Sequence, residues 1–444
     1  MSYRLNEIVI LLMVILGCSN NLHAQFSLYG NTGYGYNQNP LYNYQKKPDQ
    51  IRQSYLELNY LKELDNSSFT FSYVSGLMLF NEFQDRNFYE HNFYTKYNIR
   101  FAKVHTIHLS DGKPESEDST AALQEEAIQD DSVQVDQEEE SVEDSTDSYL
   151  SLAFQAGARH DKEVFREFDN FGTGLTLSYK MMMGDSYSLR LANSAVFRNY
   201  NNLSELSNVT DITSLQIANK YNGSFTYGIL LTGGFKYYTQ SIYDTTKFET
   251  KRSFNQKSQG KGKLGSKINV PSAKQILIQP QANGTSQFAA GLFFGQNWGS
   301  SSSLRADFLY RYNPRTQTRY LAQYANTSML SEDIYNDFFS YQGPETKLQL
   351  NQSLPFNIQM SIEYLFMHKL FEAPALNLEG VQTDNKKRND IYNSADLSFS
   401  RSFNLFKGFE FNISLTTGII RNQSNDDYND FSSYHFSGAI GIGF

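Results

Sequence analysis

The chain has 444 residues and a formal net charge of −9, with 19% charged and 15% aromatic residues and a mean hydropathy of −0.52. It holds 31 Tyr and 34 Phe but a single Trp and a single Cys. No run of 18 apolar residues occurs, which excludes a transmembrane helix, so a chain that crosses a bilayer without one must close a β-barrel.

Residues 1–24 read as an export signal. Arg4 supplies the positive charge, Ile8 to Leu16 the short apolar core, and Leu22-His23-Ala24 a cleavage site before Gln25. A rival reading rests on Ile15-Leu16-Gly17-Cys18, which loosely resembles the lipobox of bacterial lipoproteins and would place an acyl chain on Cys18. Cleavage after Ala24 leaves a mature chain without cysteine, which excludes disulfides and thiol catalysis.

Residues 25–444 then show period-two patterns, the signature of strands with one apolar face. They occur at 149–159, 171–180 and 187–197. At 304–312, Leu304, Ala306, Phe308, Tyr310 and Tyr312 alternate with Arg305, Asp307, Leu309 and Arg311. Ile358, Met360, Ile362, Tyr364 and Phe366 share one parity, as do Phe411, Ile413 and Leu415. The chain closes on HFSGAIGIGF, with Phe436, Ile440, Ile442 and Phe444 on one side and Ser437, Ala439, Gly441 and Gly443 on the other. Most of these segments are about ten residues, the length a tilted strand needs to cross a bilayer.

Connections alternate in length. Short ones lie near residue 65 and at 183–186, 221–224, 299–303, 354–357 and 404–408, rich in the Gly, Asn, Asp and Ser of tight turns. Long ones lie at 37–51, 81–92, 161–170, 198–211, 239–286, 314–344, 368–390 and 421–430. The expected fold is an all-β antiparallel transmembrane barrel of about 16 strands, with short periplasmic turns, long extracellular loops and both ends periplasmic. A soluble β-sandwich or propeller is the alternative, and no repeated blade motif supports it.

The signal, the alternating segments, the short-long connections and the terminal HFSGAIGIGF together resemble a Gram-negative outer-membrane β-barrel of the porin-like class. The resemblance covers nearly all of residues 26–444. It implies residence in the outer membrane among its lipid and lipopolysaccharide. It also implies that the last strand, ending at Phe444, is the signal read by the barrel-assembly machinery. No separate N-terminal plug domain is visible, which counts against a TonB-dependent receptor.

Two charged segments interrupt the pattern. Residues 111–148 hold 15 acidic residues and one lysine, a local charge of −14. They lack aromatics and periodicity and are expected to be a disordered insert on the periplasmic side. The insert is either a solvated spacer, or a tether for a basic periplasmic partner or a sponge for divalent cations. Residues 236–274 hold nine basic and two acidic residues. Within them Lys251, Arg252, Lys257, Lys261, Lys263 and Lys267 are candidates for contact with lipopolysaccharide phosphates or another polyanion. Solvation alone, or an inward fold that carries positive charge into the lumen, are the other readings, and nucleic acid is not an expected partner.

Catalytic signals are weak. His91, His160 and His368 are placed at strand ends or in loops, where a dyad could form beside residues such as Asp161; His105 and His108, three apart, should face opposite ways. No cofactor or metal motif is present, and an enzyme is not the expected function. The lumen is more informative. Inward parity would place Lys96, Arg100, Arg159, Lys180, Arg190, Arg305, Arg311 and Lys347 inside, with Glu57, Asp307, Glu363, Asp396 and Glu410. Eight cations against five anions suit a channel for small polar or anionic solutes, with Arg190, Arg305, Arg311 and Lys347 setting selectivity. Cross-lumen pairing in a non-conducting structural, adhesion or assembly barrel is the competing reading.

Overall fold

The computed structural model describes residues 24–444 except 41, 43–45, 102–147, 163–165, 167–168, 185, 203, 222–223, 241–283, 300, 316–337, 379–381 and 407. The export signal, the acidic insert up to residue 147, His105, His108 and all six residues named for polyanion contact lie outside the described residues.

Sixteen strands run in chain order. The first eight are β1 (Ala24–Asn37), β2 (Asp49–Leu64), β3 (Ser67–Phe80), β4 (Phe88–Phe101), β5 (Ser148–Asp161), β6 (Asn170–Met183), β7 (Tyr187–Tyr200) and β8 (Asn208–Tyr221). The second eight are β9 (Phe225–Tyr238), β10 (Gly284–Trp298), β11 (Ser302–Arg315), β12 (Tyr341–Leu354), β13 (Ile358–Leu376), β14 (Gln382–Phe406), β15 (Phe409–Ser424) and β16 (Phe431–Gly443). Each pairs antiparallel with its neighbours, and β1 pairs with β16, so the sheet closes into a barrel. No helix of the described residues is long and apolar enough to cross a membrane.

Alternation decides which side chains face outwards. Leu175 (50% exposed), Phe235 (48%), Tyr312 (54%) and Ile440 (48%) belong to a belt of exposed apolar residues around the ring. In water so much exposed aromatic and aliphatic surface would be a liability; in a bilayer it is the surface lipid requires. A closed ring leaves no strand edge to satisfy, as hydrocarbon demands. The chain is therefore a 16-stranded barrel of the outer-membrane type. One break in the belt is Asp211 on β8, which accepts hydrogen bonds of 3.2 Å from Asn193 Nδ2 on β7 to both carboxylate oxygens. The same Asn193 amide donates to Thr213 Oγ1 at 2.9 Å.

The final strand has small residues on one side because another side chain lies there. Tyr29 of β1 faces inwards across the β1–β16 seam. A Cβ added to Gly441 would sit 1.7 Å from its hydroxyl oxygen, and one added to Gly443 would sit 3.2 Å from its ring. Phe444 continues the ladder, exchanging backbone hydrogen bonds of 2.8 and 3.0 Å with Leu28.

The short connections all lie at one rim and the long ones at the other, except that β4 and β5 are joined through a long connection whose ends, Phe101 and Ser148, meet at the short-turn rim. The β14–β15 turn reverses through Gly408 at φ +79°, a conformation that costs a residue with a Cβ. The strands are longer than the apolar runs suggest: most have 14 residues, β13 has 19 and β14 has 25. The segment 368–390, expected as a loop, is a correction: β13 and β14 continue through most of it as a hairpin with bulges near Pro374. Beyond Phe366 its outer face mixes His368 and Glu372 with Leu370, so the apolar alternation fades while the hydrogen-bond ladder continues.

Candidate functional site: the lumen wall

The cross-strand register gives every inward position. Lys96, Arg100, Arg159, Lys180, Arg190, Arg305, Arg311, Lys347, Glu57, Asp307, Glu363, Asp396 and Glu410 all occupy the inward parity of their strands. Their partners divide the wall into two unlike halves.

On β11–β16 the charges close on one another. Arg305 Nε lies 3.0 Å from Asp307 Oδ2 two residues along β11. Arg311 Nε lies 2.9 Å from Glu345 Oε2 across β12, and its Nη1 donates to Gln287 Oε1 at 3.0 Å. Lys347 Nζ stands 3.4 Å from Glu363 Oε2. Glu363 is directly opposite Asp396, and Asp396 Oδ1 lies 3.1 Å from His435 Nε2. These three charged pairs and one histidine contact are short and fixed by the sheet, so little net charge is left for a passing ion. Three of the four selectivity candidates, Arg305, Arg311 and Lys347, belong to this neutralised half.

On β4–β9 the charged inward positions are mostly cationic. They include Lys96, Arg100, Arg159, Lys180, Arg190, Arg198 and Lys236, with Glu90 and Asp161 as acids. Arg159 is bound to Asp161, with Nη2 2.7 Å from Oδ1, and its guanidinium lies 4.2 Å from the Phe88 ring centroid. Lys180 and Arg190 stand directly opposite each other on β6 and β7, and Arg190 makes no ion pair with the described residues.

The long-loop rim is narrowed from inside. The turn Phe338–Ser340 precedes β12 and lies against inward residues of β8–β11. Asn313 Nδ2 donates to Phe338 O at 3.2 Å and to Tyr341 O at 2.6 Å, and Gln287 Nε2 also donates to Phe338 O. The Phe339 ring is 1% exposed and touches Gly234, where an added Cβ would lie 2.9 Å from it. Further round, Asp390 is gripped by Arg388, Asn422 and Ser424. Beyond the strands, Asp426 accepts from the backbone N–H groups of Leu376 (3.0 Å) and Tyr428 (3.1 Å) and from Asn429 Nδ2 (2.8 Å). Burial pushes the Asp426 carboxyl above its ordinary range, with Arg388, Asn429 and the Leu376 N–H opposing.

His91 and His368 require correction, while His160 lies at the end of β5 as expected. His91 is inside β4 rather than at its end and faces outwards, its Nδ1 2.8 Å from the Tyr73 hydroxyl. His160 also faces outwards, its ring 5.1 Å from that of Tyr89. His368 lies within β13, with Nε2 2.8 Å from Asn389 Oδ1. Among the described residues no group of three His, Cys, Asp or Glu is arranged to hold a metal.

Glu90, Arg198, Lys236, Glu345, Lys369 and Asp390 were missed as lumen residues by the sequence pattern. Each lies in or beside a segment read as a long loop, and the signal that could have found them is parity carried past the apolar run.

No family model matches the chain, and no curated protein matches it. Solved structures of similar shape are those of Pseudomonas aeruginosa OccK2 (OpdF) in complex with glucuronate, of P. aeruginosa OccK8 (OprE), and of the outer membrane protein OprD from the same organism. OccK2 is 11% identical at a TM-score of 0.40, covering 95% of this chain and 98% of that chain. OccK8 is 8% identical at 0.42, covering 95% and 98%. OprD is 7% identical at 0.42, covering 95% and 94%. Likeness at this level concerns the barrel fold alone.

Proposed function

We propose that the chain is an outer-membrane channel through which small polar solutes diffuse, with a preference for anions. The observation that carries this reading is the unequal charge of the inward positions: β11–β16 sets cations against carboxylates in short ion pairs, while β4–β9 carries, among the described side chains, seven cations against two acids. Anions then see positive charge on one side of the lumen and little net charge on the other, and fixed cations in a low-dielectric wall raise local anion concentration. Of the four selectivity candidates, Arg190 carries the role, because the other three are held by carboxylates.

The test is single-channel conductance of the folded protein in a planar bilayer, with a salt gradient to read the reversal potential. Open steps with anion preference support the channel. The Phe338–Ser340 turn, seated inside the rim, favours a second reading: a barrel that folds but does not conduct and acts through its loops. A folded, silent barrel would decide for that reading. Lipopolysaccharide contact by Lys251, Arg252, Lys257, Lys261, Lys263 and Lys267, recognition of Phe444 by the assembly machinery, and a basic periplasmic partner for the 111–148 insert complete the proposal. Binding and pull-down assays test each of these.

A further inference from the structure

One row of inward residues stands apart from the rest of the wall. Following direct cross-strand neighbours, it runs Arg100 on β4, Tyr149 on β5, Lys180 on β6, Arg190 on β7 and Gln216 on β8. It lies towards the short-turn rim, away from the Phe338–Ser340 turn. Tyr149 is 9% exposed and its ring carries the Lys180 ammonium, with Nζ 5.6 Å from the centroid. Among the described residues the Arg100 guanidinium pairs with Glu63, at 3.9 Å, and both side chains are more than half exposed.

Like charges directly opposite on neighbouring strands destabilise the pair. Lys180 and Arg190 are such a pair, and Arg190 has no carboxylate among the described residues to offset it. Elsewhere in the lumen the sheet answers such crowding with an acid: Arg311 has Glu345, Lys347 has Glu363, and Arg159 has Asp161. At Lys180 and Arg190 the opposite position that could hold an acid holds a second cation. A guanidinium grips two oxygens of one group, and an ammonium adds a point charge beside it. Gln216 flanks Arg190 with an amide, and Ser178 and Ser188 occupy the next inward positions along β6 and β7.

We propose that Lys180 and Arg190, with Arg100 and Gln216 at the ends of the row, form a saturable binding station for the oxyanion of a small solute, a carboxylate or a phosphate. The station deepens the channel reading and rests on it for a route to the site. It predicts more than anion preference: a solute oxyanion pauses here and excludes a second one.

The experiment measures chloride current through single channels as inorganic phosphate or acetate is added. Phosphate at the station should reduce the current with a half-blocking concentration that rises tenfold or more in Arg190→Ala and in Lys180→Gln. Arg190→Lys should recover part of the loss, and Arg52→Ala, on the outer face, should change nothing. Block by acetate with the same variant dependence assigns the station to carboxylates as well; block by phosphate alone assigns it to phosphate. Half-block unmoved by both Arg190→Ala and Lys180→Gln overturns the station while leaving the channel. A parallel calorimetric titration of phosphate into the folded protein separates the two readings. Heat in the native chain that is lost in Arg190→Ala, from a barrel that does not conduct, keeps the station and overturns the channel. Absence of heat in the native chain overturns the station.

Discussion

Asp396 and His435 meet across a strand that belongs to neither. Asp396 is on β14 and His435 on β16, yet Oδ1 and Nε2 are 3.1 Å apart because β15 places Gly418 between them. A Cβ on Gly418 would lie 1.9 Å from Asp396 Oδ1 and 2.5 Å from His435 Cε1.

Gly418→Ala should therefore force the pair apart and cost about 1–3 kcal/mol, the usual penalty for overpacking. Urea titration of the folded barrel, read from the single tryptophan Trp298, measures it. A midpoint unchanged from the native chain would mean that the pair moves aside without cost.

The seam offers a second close approach. Gly441→Val should collide with Tyr29 and leave the barrel unable to join its first and last strands. Combining it with Tyr29→Ala should restore closure. The readout is the heat-sensitive mobility of the folded form in detergent gels; failure of the double variant to recover would refute steric conflict as the cause.

Arg311 anchors the inward turn from two sides, through Glu345 and through Gln287, which itself holds Phe338. Arg311→Ala leaves Glu345 without its partner and should lower stability by about 3 kcal/mol. It should also loosen Phe338–Ser340 and raise single-channel conductance. Unaltered conductance in a folded variant would show that the turn does not limit the bore.

Asp211 is a carboxylate in an apolar belt. Replacing it with leucine, together with Asn193→Leu, should stabilise the barrel in bilayers by about 1–2 kcal/mol, since acids on the lipid face are costly. Destabilisation instead would mean that another protein covers this patch.

Asp426 makes the long-loop rim sensitive to pH. Its carboxyl is raised by burial, so the folded chain binds a proton more readily than the unfolded chain. The penalty for the buried charge is present at neutral pH and is relieved as pH falls through the raised value. Hydrogen exchange at the Leu376 and Tyr428 amides, corrected for intrinsic rate, should slow on acidification. Asp426→Asn should remove the dependence.

The ring and its polarity were legible because alternation is strongest at mid-strand, where lipid selects one face and water the other. Arg305, Asp307 and Glu363 could be assigned inwards on parity alone. The ends were not legible. At Lys369 and Asp390 the outward neighbours His368 and Asn389 are polar, so the pattern dissolves while hydrogen bonding continues. Pairing was hidden for a different reason. That Asp396 reaches His435 depends on a glycine on the strand between them, and nothing local to either residue marks it. The division into a neutralised and a cationic half follows from such contacts, so it emerged only with the register.

Closure of β1 onto β16 has a consequence for how the molecule is made. Strands separated by almost the whole chain must find each other before any edge is sealed. Every shorter piece, whatever its length, carries two raw edges and cannot become a smaller working barrel. Synthesis therefore delivers a long, aromatic-rich polymer that has to be kept apart from its own copies until the last stave is in place. A premature stop should yield material for degradation rather than a leaky pore.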